Sequence, residues 1–141
     1  MFRKYRKTII ITIIVTLLPI LIGLLLWNRL PDRIATHFDM QNNPNGWSSK
    51  EMAVFGIPSF LAVFQLIFVF ICGADPKYKN IGEKPLRFIL WIIPVCSFLC
   101  TVLCYLNAME IPVNIGLVVC IFIGIPVLMS YLYYRKHRKE D

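Results

Sequence analysis

Four apolar blocks occupy most of this chain, and each is about as long as a helix must be to cross a bilayer. They run from Thr8 to Asn28, Met52 to Gly73, Arg87 to Leu106 and Pro112 to Tyr134. A crossing needs about 20 mostly apolar residues, because an α-helix rises about 1.5 Å per residue through roughly 30 Å of hydrocarbon. The blocks are too long and too little alternating for barrel strands, and backbone groups in lipid must pair within their own segment. The fold expected is therefore all-α: an integral membrane bundle of four transmembrane helices, one domain over 1–141, with no length left for a soluble one. A composition of 57% hydrophobic against 16% charged residues points to the same class.

The first block follows Arg3, Lys4, Arg6 and Lys7, like the start of a signal peptide. Its apolar run exceeds the usual 7 to 15 or so residues and no small-x-small cleavage site follows, which predicts an uncleaved signal anchor. Basic residues then set the orientation. Twelve of the fifteen Lys and Arg fall at the N-terminus, in the connection carrying Lys77, Lys79, Lys84 and Arg87, and in the tail carrying Arg135, Lys136, Arg138 and Lys139. Arg29, Arg33 and Lys50 lie on the other side, so both termini are expected to be cytoplasmic. The net charge of +7 then reflects topology and contact with anionic headgroups. Three short basic clusters at membrane boundaries make a poor nucleic-acid surface, and no nucleic-acid partner is expected. Aromatics fit the frame: Trp27, Trp47 and Tyr105 at outer boundaries, and Tyr5, Trp91, Tyr131, Tyr133 and Tyr134 near inner ones.

Cys96, Cys100 and Cys104 recur every four residues on the third span, and Gly116, Cys120 and Gly124 on the fourth. Such spacing shares a helix face, and small residues let membrane helices approach closely, so the two stripes are expected to meet across the short 107–111 connection. Without a CxxC motif or a partner His, a metal or redox role for the thiols has less support than packing. Each span also holds a proline (Pro19, Pro58, Pro94, Pro126), read as a tolerated kink, with a hinge or ligand gap as the alternative. No Asp, Glu, Lys, Arg or His falls well inside a span, and Gln65 is the most polar residue near a midplane. Proton relays and ion-coupled transporters usually place ionisable groups there, so an autonomous pump is disfavoured.

Specificity then concentrates in the 23 residues from Arg29 to Glu51, expected to form a structured extracytoplasmic loop between the first two helices. Pro31 and Asp32 suit the start of a short helix. A helix to Asp39 would align Leu30, Ile34 and Phe38 on one face, with Arg33 and His37 together on another. Asn43-Pro44-Asn45-Gly46 reads as a turn. Ser48 and Glu51 then have capping-box spacing, with Trp47 and Met52 as a hydrophobic staple opening the second span. The candidate ligand-binding residues are Asp32, Arg33, His37, Phe38, Asp39, Trp47 and Lys50, of which Asp32 and Phe38 place the loop. Arg33 with His37 suits an anionic group such as a headgroup phosphate, a carboxylate or a peptide terminus. A metal held by Asp32, His37, Asp39 and Glu51 is the weaker reading, because no pair has zinc-helix spacing and Arg33 would repel a cation. No G-x-S-x-G or H-E-x-x-H is present, so no catalytic residues, metal or cofactor are expected.

The string Leu30-Pro31-Asp32-Arg33-Ile34, through His37-Phe38-Asp39, to Trp47-Ser48-Ser49-Lys50 resembles the N-terminal module of SdpI-type immunity proteins. That module, a domain of unknown function, has an LP-D-x-I-x-x-HF start and a W-x-SK end between its first two membrane helices. The span placement, Asp75-Pro76 and the basic inner connection are similar as well. The chain departs at Ala35, where the family often has a second proline, and at Gln41-Asn42-Asn43, where a glycine is common. A later N-x-x-x-G-x-R-T-P-W-T-like segment of the family is also missing here. The resemblance implies a multi-pass protein of the bacterial plasma membrane that protects the producing cell from a secreted membrane-active peptide toxin, without covalent chemistry. Some members also hold a repressor at the membrane. Two further readings stand beside it: an accessory subunit stabilising a larger membrane complex, or a homo-oligomer, through the small-residue stripes; and a membrane enzyme using His37 and a carboxylate.

Overall fold

The computed structural model describes residues 2–74 and 83–122, together with Gly124, Leu128 and Arg135. Three helices in it are long and apolar enough to span a membrane, over Arg3–Leu25, Met52–Ala74 and Pro85–Ala108. They lie in α1 (Phe2–Leu25), in a π-helical turn (Met52–Gly56) that runs directly into α2 (Ile57–Ala74), and in α3 (Glu83–Ala108). The chain is thus a mostly helical membrane protein. Of the fourth expected span, 115–122 is helical. The remainder of that span, apart from Gly124 and Leu128, and most of the 74–87 connection lie outside the described residues.

Each helix buries one narrow face and leaves the rest apolar and exposed, as lipid requires. The buried faces are Tyr5, Thr12, Thr16, Pro19 and Gly23 on α1; Pro58, Ala62, Gln65, Val69 and Cys72 on α2; and Leu86, Leu90, Pro94, Ser97, Thr101 and Tyr105 on α3. Ile11, Ile14 and Leu21, Phe60, Phe64 and Phe70, and Phe88 and Ile92 point outward. Much of the interior is therefore small or polar. Helices surrounded by apolar lipid gain little from hiding aliphatic side chains, and gain more from close backbone approach and hydrogen bonds. Gly23 shows the approach, since a Cβ there would lie 2.7 Å from Val54 Cγ1 and 2.8 Å from the Tyr105 hydroxyl.

Pro19, Pro58 and Pro94 sit on buried faces, Pro126 lies outside the described residues, and two of the three have visible compensation. Pro94 has no N–H to offer the Leu90 carbonyl one turn back. Gln65 supplies the missing donor, with its Nε2 3.0 Å from Leu90 O. Pro58 likewise cannot donate to Val54, and the widened π turn precedes it, with the Ile57 N–H bonded to Met52 O. Two more side chains cross between helices onto backbone: Ser97 Oγ donates to Thr16 O at 3.0 Å and the Tyr105 hydroxyl to Pro19 O at 3.2 Å. The Thr12 and Thr16 hydroxyls return to their own helix, at Ile9 O (2.8 Å) and Thr12 O (2.7 Å).

Several expectations need correction. The small-residue stripes do not meet among the described residues: Cys100 and Cys120 are exposed, a Cβ on Gly116 would touch only Asn114 Oδ1 at 3.6 Å, and one on Gly124 would touch nothing within 4 Å. Spacing marked a stripe, but the face turned inward on α3 is the one carrying Ser97 and Thr101. Tyr105 is no interfacial anchor either; it is fully buried, because its hydroxyl finds a backbone acceptor inside the bundle.

The fold is also not purely α. Residues 31–39 form no helix; Arg33–Phe38 is strand β1 and pairs antiparallel with β2, Pro44–Ser49. The register runs Arg33 to Ser49, Ile34 to Ser48, Ala35 to Trp47, His37 to Gly46 and Phe38 to Pro44, with irregularities on both sides of His37. The turn is Asp39 to Asn43 and starts four residues before the Asn43–Gly46 expected, so that Pro44 and Gly46 already belong to β2. A hairpin puts Ile34 into the cluster of Leu30, Ala53, Val54 and Tyr105 where the helices end. Full burial of an isoleucine there contributes about 1.5 to 3 kcal/mol.

Candidate functional site

The hairpin is bolted to the bundle at three places, through Lys50, Ser49 and Asn42. Its base is closed by Lys50, whose backbone N–H donates to Asp32 O at 2.9 Å. The Lys50 ammonium reaches Trp27 O at 3.4 Å, lies 5.2 Å from the Trp27 ring centre and 3.5 Å from the Asp32 carboxylate. Trp27 in turn packs on Phe55, with ring centres 5.7 Å apart. Where β2 enters the second span, Ser49 Oγ accepts the Met52 N–H at 3.2 Å. The cap is therefore Ser49 rather than Ser48, whose hydroxyl instead pairs with Thr36 across the strands at 3.0 Å.

Asp39 builds the turn, its Oδ1 accepting the N–H groups of Gln41 (2.9 Å) and Asn43 (2.8 Å). That geometry swings Asn42 into the left-handed region at φ 66°, which asparagine tolerates better than most residues. Its side chain then grips the chain beyond α3, donating to Val113 O at 3.1 Å and accepting the Ile115 N–H at 2.8 Å. With Asn114 Oδ1 accepting the Leu117 N–H at 2.8 Å, two asparagines satisfy the free N–H groups that open the 115–122 helix. Asn42 was invisible as a contact in the sequence; the signal was a cluster of amides where the resembling family favours glycine. We expect Asp39→Ala and Asn42→Ala each to speed amide hydrogen exchange about tenfold. The Asp39 change should act at Asn43 and the Asn42 change at Ile115, since a lost cap or hydrogen bond is worth about 1 kcal/mol or slightly more.

The sequence-predicted residues are thus brought together on one hairpin but in unequal roles. Asp32, Asp39 and Lys50 are engaged in holding it. Phe38 is half-buried, Trp47 is 53% exposed, and Arg33 and His37 are exposed. His37 Nδ1 pairs with Asn45 Oδ1, and its Cβ lies where a side chain on Gly46 would have to begin, 2.7 Å away. Arg33 and His37 do not share a face as expected. Their partners Ser49 and Gly46 are three residues apart on β2, and alternation sends them to opposite sides of the sheet. Arg33 instead shares its face with Trp47. Among the described residues no three His, Cys, Asp or Glu side chains converge on a point that could hold a metal ion.

Beneath β1 a cleft of about 60 Å³ opens between Thr36, Ala53, Ile57, Cys100, Thr101 and Tyr105. Its size suits a few waters or the end of one side chain, not a drug-sized ligand. Nothing in it pairs a nucleophile with a base.

Residues 14–62 match the family model described as a domain of unknown function, DUF1648. The match begins inside α1, takes in the whole hairpin and ends within α2, so it coincides with the unit that positions these residues. No curated protein and no solved structure matches the chain.

Proposed function

We propose that this is a multi-pass plasma-membrane protein of the immunity type. Its hairpin faces outward and recognises a membrane-active peptide without covalent chemistry. The observation that carries the reading is the division of labour among polar groups. Inside the bundle they are largely engaged in helix–helix contacts, whereas the tethered hairpin turns Arg33, His37 and Trp47 outward on a rigid frame. Outward placement rests on the basic residues, which favour the opposite end of the helices. The SdpI-type resemblance of the loop string points to the peptide-toxin class. Rigidity serves such a role, because an ordered platform loses little entropy when it binds.

The test is survival. A sensitive bacterium expressing the full chain is challenged with a secreted membrane-active bacteriocin peptide, and membrane potential is followed. The parent chain should preserve the potential, while a variant with residues 33–49 replaced by a Gly/Ser linker of equal length should not, at equal membrane abundance. Equal protection by both would move recognition to the helices. A reporter fused at Gly46 should read extracytoplasmic, and a cytoplasmic readout would remove the outward-facing surface altogether.

A second reading, an accessory subunit or homo-oligomer, draws on the outward-facing small residues Cys100, Gly116 and Cys120, which no helix covers among the described residues. A single monomer mass in native mass spectrometry from mild detergent would remove that support.

A further inference from the structure

The pairing of Arg33 with Ser49 and of Ala35 with Trp47 places the Arg33 guanidinium and the Trp47 indole on one face of the sheet, as diagonal neighbours. Such neighbours lie roughly 7 to 8 Å apart, within reach of a long side chain and an aromatic ring. Arg33 is exposed and its guanidinium has no ion pair or hydrogen bond among the described residues; Trp47 is 53% exposed. A free cation beside a half-exposed indole needs an environment that takes both.

The tethers fix the depth of that face. Lys50 is held against Trp27, two residues past the end of α1 and therefore at the limit of the first span, and Ser49 immediately precedes it in the chain. Arg33 sits opposite Ser49 at the same level. Trp47 is two residues further along β2, at most about 7 Å away at roughly 3.3 Å per residue. The headgroup layer is itself about 5 to 7 Å deep on each side of the hydrocarbon. Both side chains therefore fall within it. Indole rings favour this depth, and an unpaired guanidinium there meets phosphates that it can bind with two N–H groups.

We propose that the Arg33–Ser49–Trp47 face is a phospholipid-headgroup site, with Arg33 on the phosphate and Trp47 against the glycerol and upper acyl region, and with a preference for phosphatidylglycerol over phosphatidylcholine. Under the immunity reading the lipid is the resting occupant that a membrane-active peptide displaces; the site stands without that reading. It holds for the leaflet on the hairpin side whichever way the protein is oriented.

The test uses the full chain with Trp27→Phe and Trp91→Phe, leaving Trp47 as the fluorophore. It is reconstituted into phosphatidylcholine vesicles containing a minority of phosphatidylglycerol brominated near the headgroup. Quenching should exceed that of a randomly mixed bilayer, corresponding to an enrichment of roughly fivefold for one basic residue at the surface. Arg33→Ala should return it to the random level. Salt at about 1 M, which shortens screening to about 3 Å, should do the same without any substitution. Random-level quenching in the parent, or enrichment that survives both Arg33→Ala and high salt, overturns the proposal. So does efficient quenching by aqueous acrylamide in place of the brominated lipid, which would leave the face in water and open to a soluble or peptide partner.

Discussion

Replacing Gly23 with leucine should prevent the three-helix bundle from assembling, whereas the same change at Gly116 should leave the yield of folded protein unaltered. A Cβ on Gly23 would already stand 2.7 and 2.9 Å from the two methyl groups of Val54 and 2.8 Å from the Tyr105 hydroxyl. Val54 is β-branched and fully buried, so it has no rotamer into which to retreat, and Tyr105 is held by its bond to Pro19. Overpacking a well-filled core costs about 1 to 3 kcal/mol, and more where neighbours are fixed on two sides. Size exclusion and thermal unfolding in mild detergent would read the difference. At Gly116 an added Cβ meets only the Asn114 amide oxygen, at 3.6 Å, among the described residues. Equal loss at both positions would mean that the small residues of the fourth span are packed after all.

The second large effect is a coupling. Gln65→Leu should destabilise the protein by about 1 to 3 kcal/mol, because it leaves the buried Leu90 carbonyl without a donor. In a Pro94→Ala background the alanine N–H can take over that carbonyl, so the same Gln65→Leu change should cost much less. The difference between the two backgrounds, about 1 kcal/mol or more, is the interaction energy of the pair. Gln65 Oε1 is buried without a partner among the described residues, and losing it offsets part of the penalty. That contribution is common to both backgrounds and cancels in the cycle. Strict additivity would show that Gln65 is not the substitute donor.

What the sequence disclosed was set by how much signal each feature carries. The second span, expected from Met52 to Gly73, is observed over Met52–Ala74, because a run of about 20 mostly apolar residues has few alternatives. The hairpin was misread because Pro31-Asp32 and the Leu30, Ile34, Phe38 spacing also fit a helix, while two irregularities in five residue pairs blur the alternation of a strand. Ile34, Thr36 and Phe38 carried the β signal, but in too short a stretch to decide it. Burial shows why Cys96 and Cys100 misled: spacing identifies a face of α3, yet the inward face is fixed by partners on α1 and α2 far away in sequence, such as Thr16 for Ser97. The candidate residues were found as a group. Their division into Asp32, Asp39 and Lys50 as holders and Arg33 and Trp47 as an exposed pair needed the strand register.

Amide hydrogen exchange across 33–49, measured on the full chain in lipid nanodiscs, tests most directly whether a rigid hairpin crowns this bundle. The ladder amides of β1 and β2, with Met52 at the Ser49 cap and Ile115 at Asn42, should exchange orders of magnitude more slowly than an unstructured peptide, because opening them breaks the Lys50, Asp39 and Asn42 tethers together. Exchange at the rate of an unstructured loop, or protection in the i to i+4 pattern of a helix over 31–39, would contradict it.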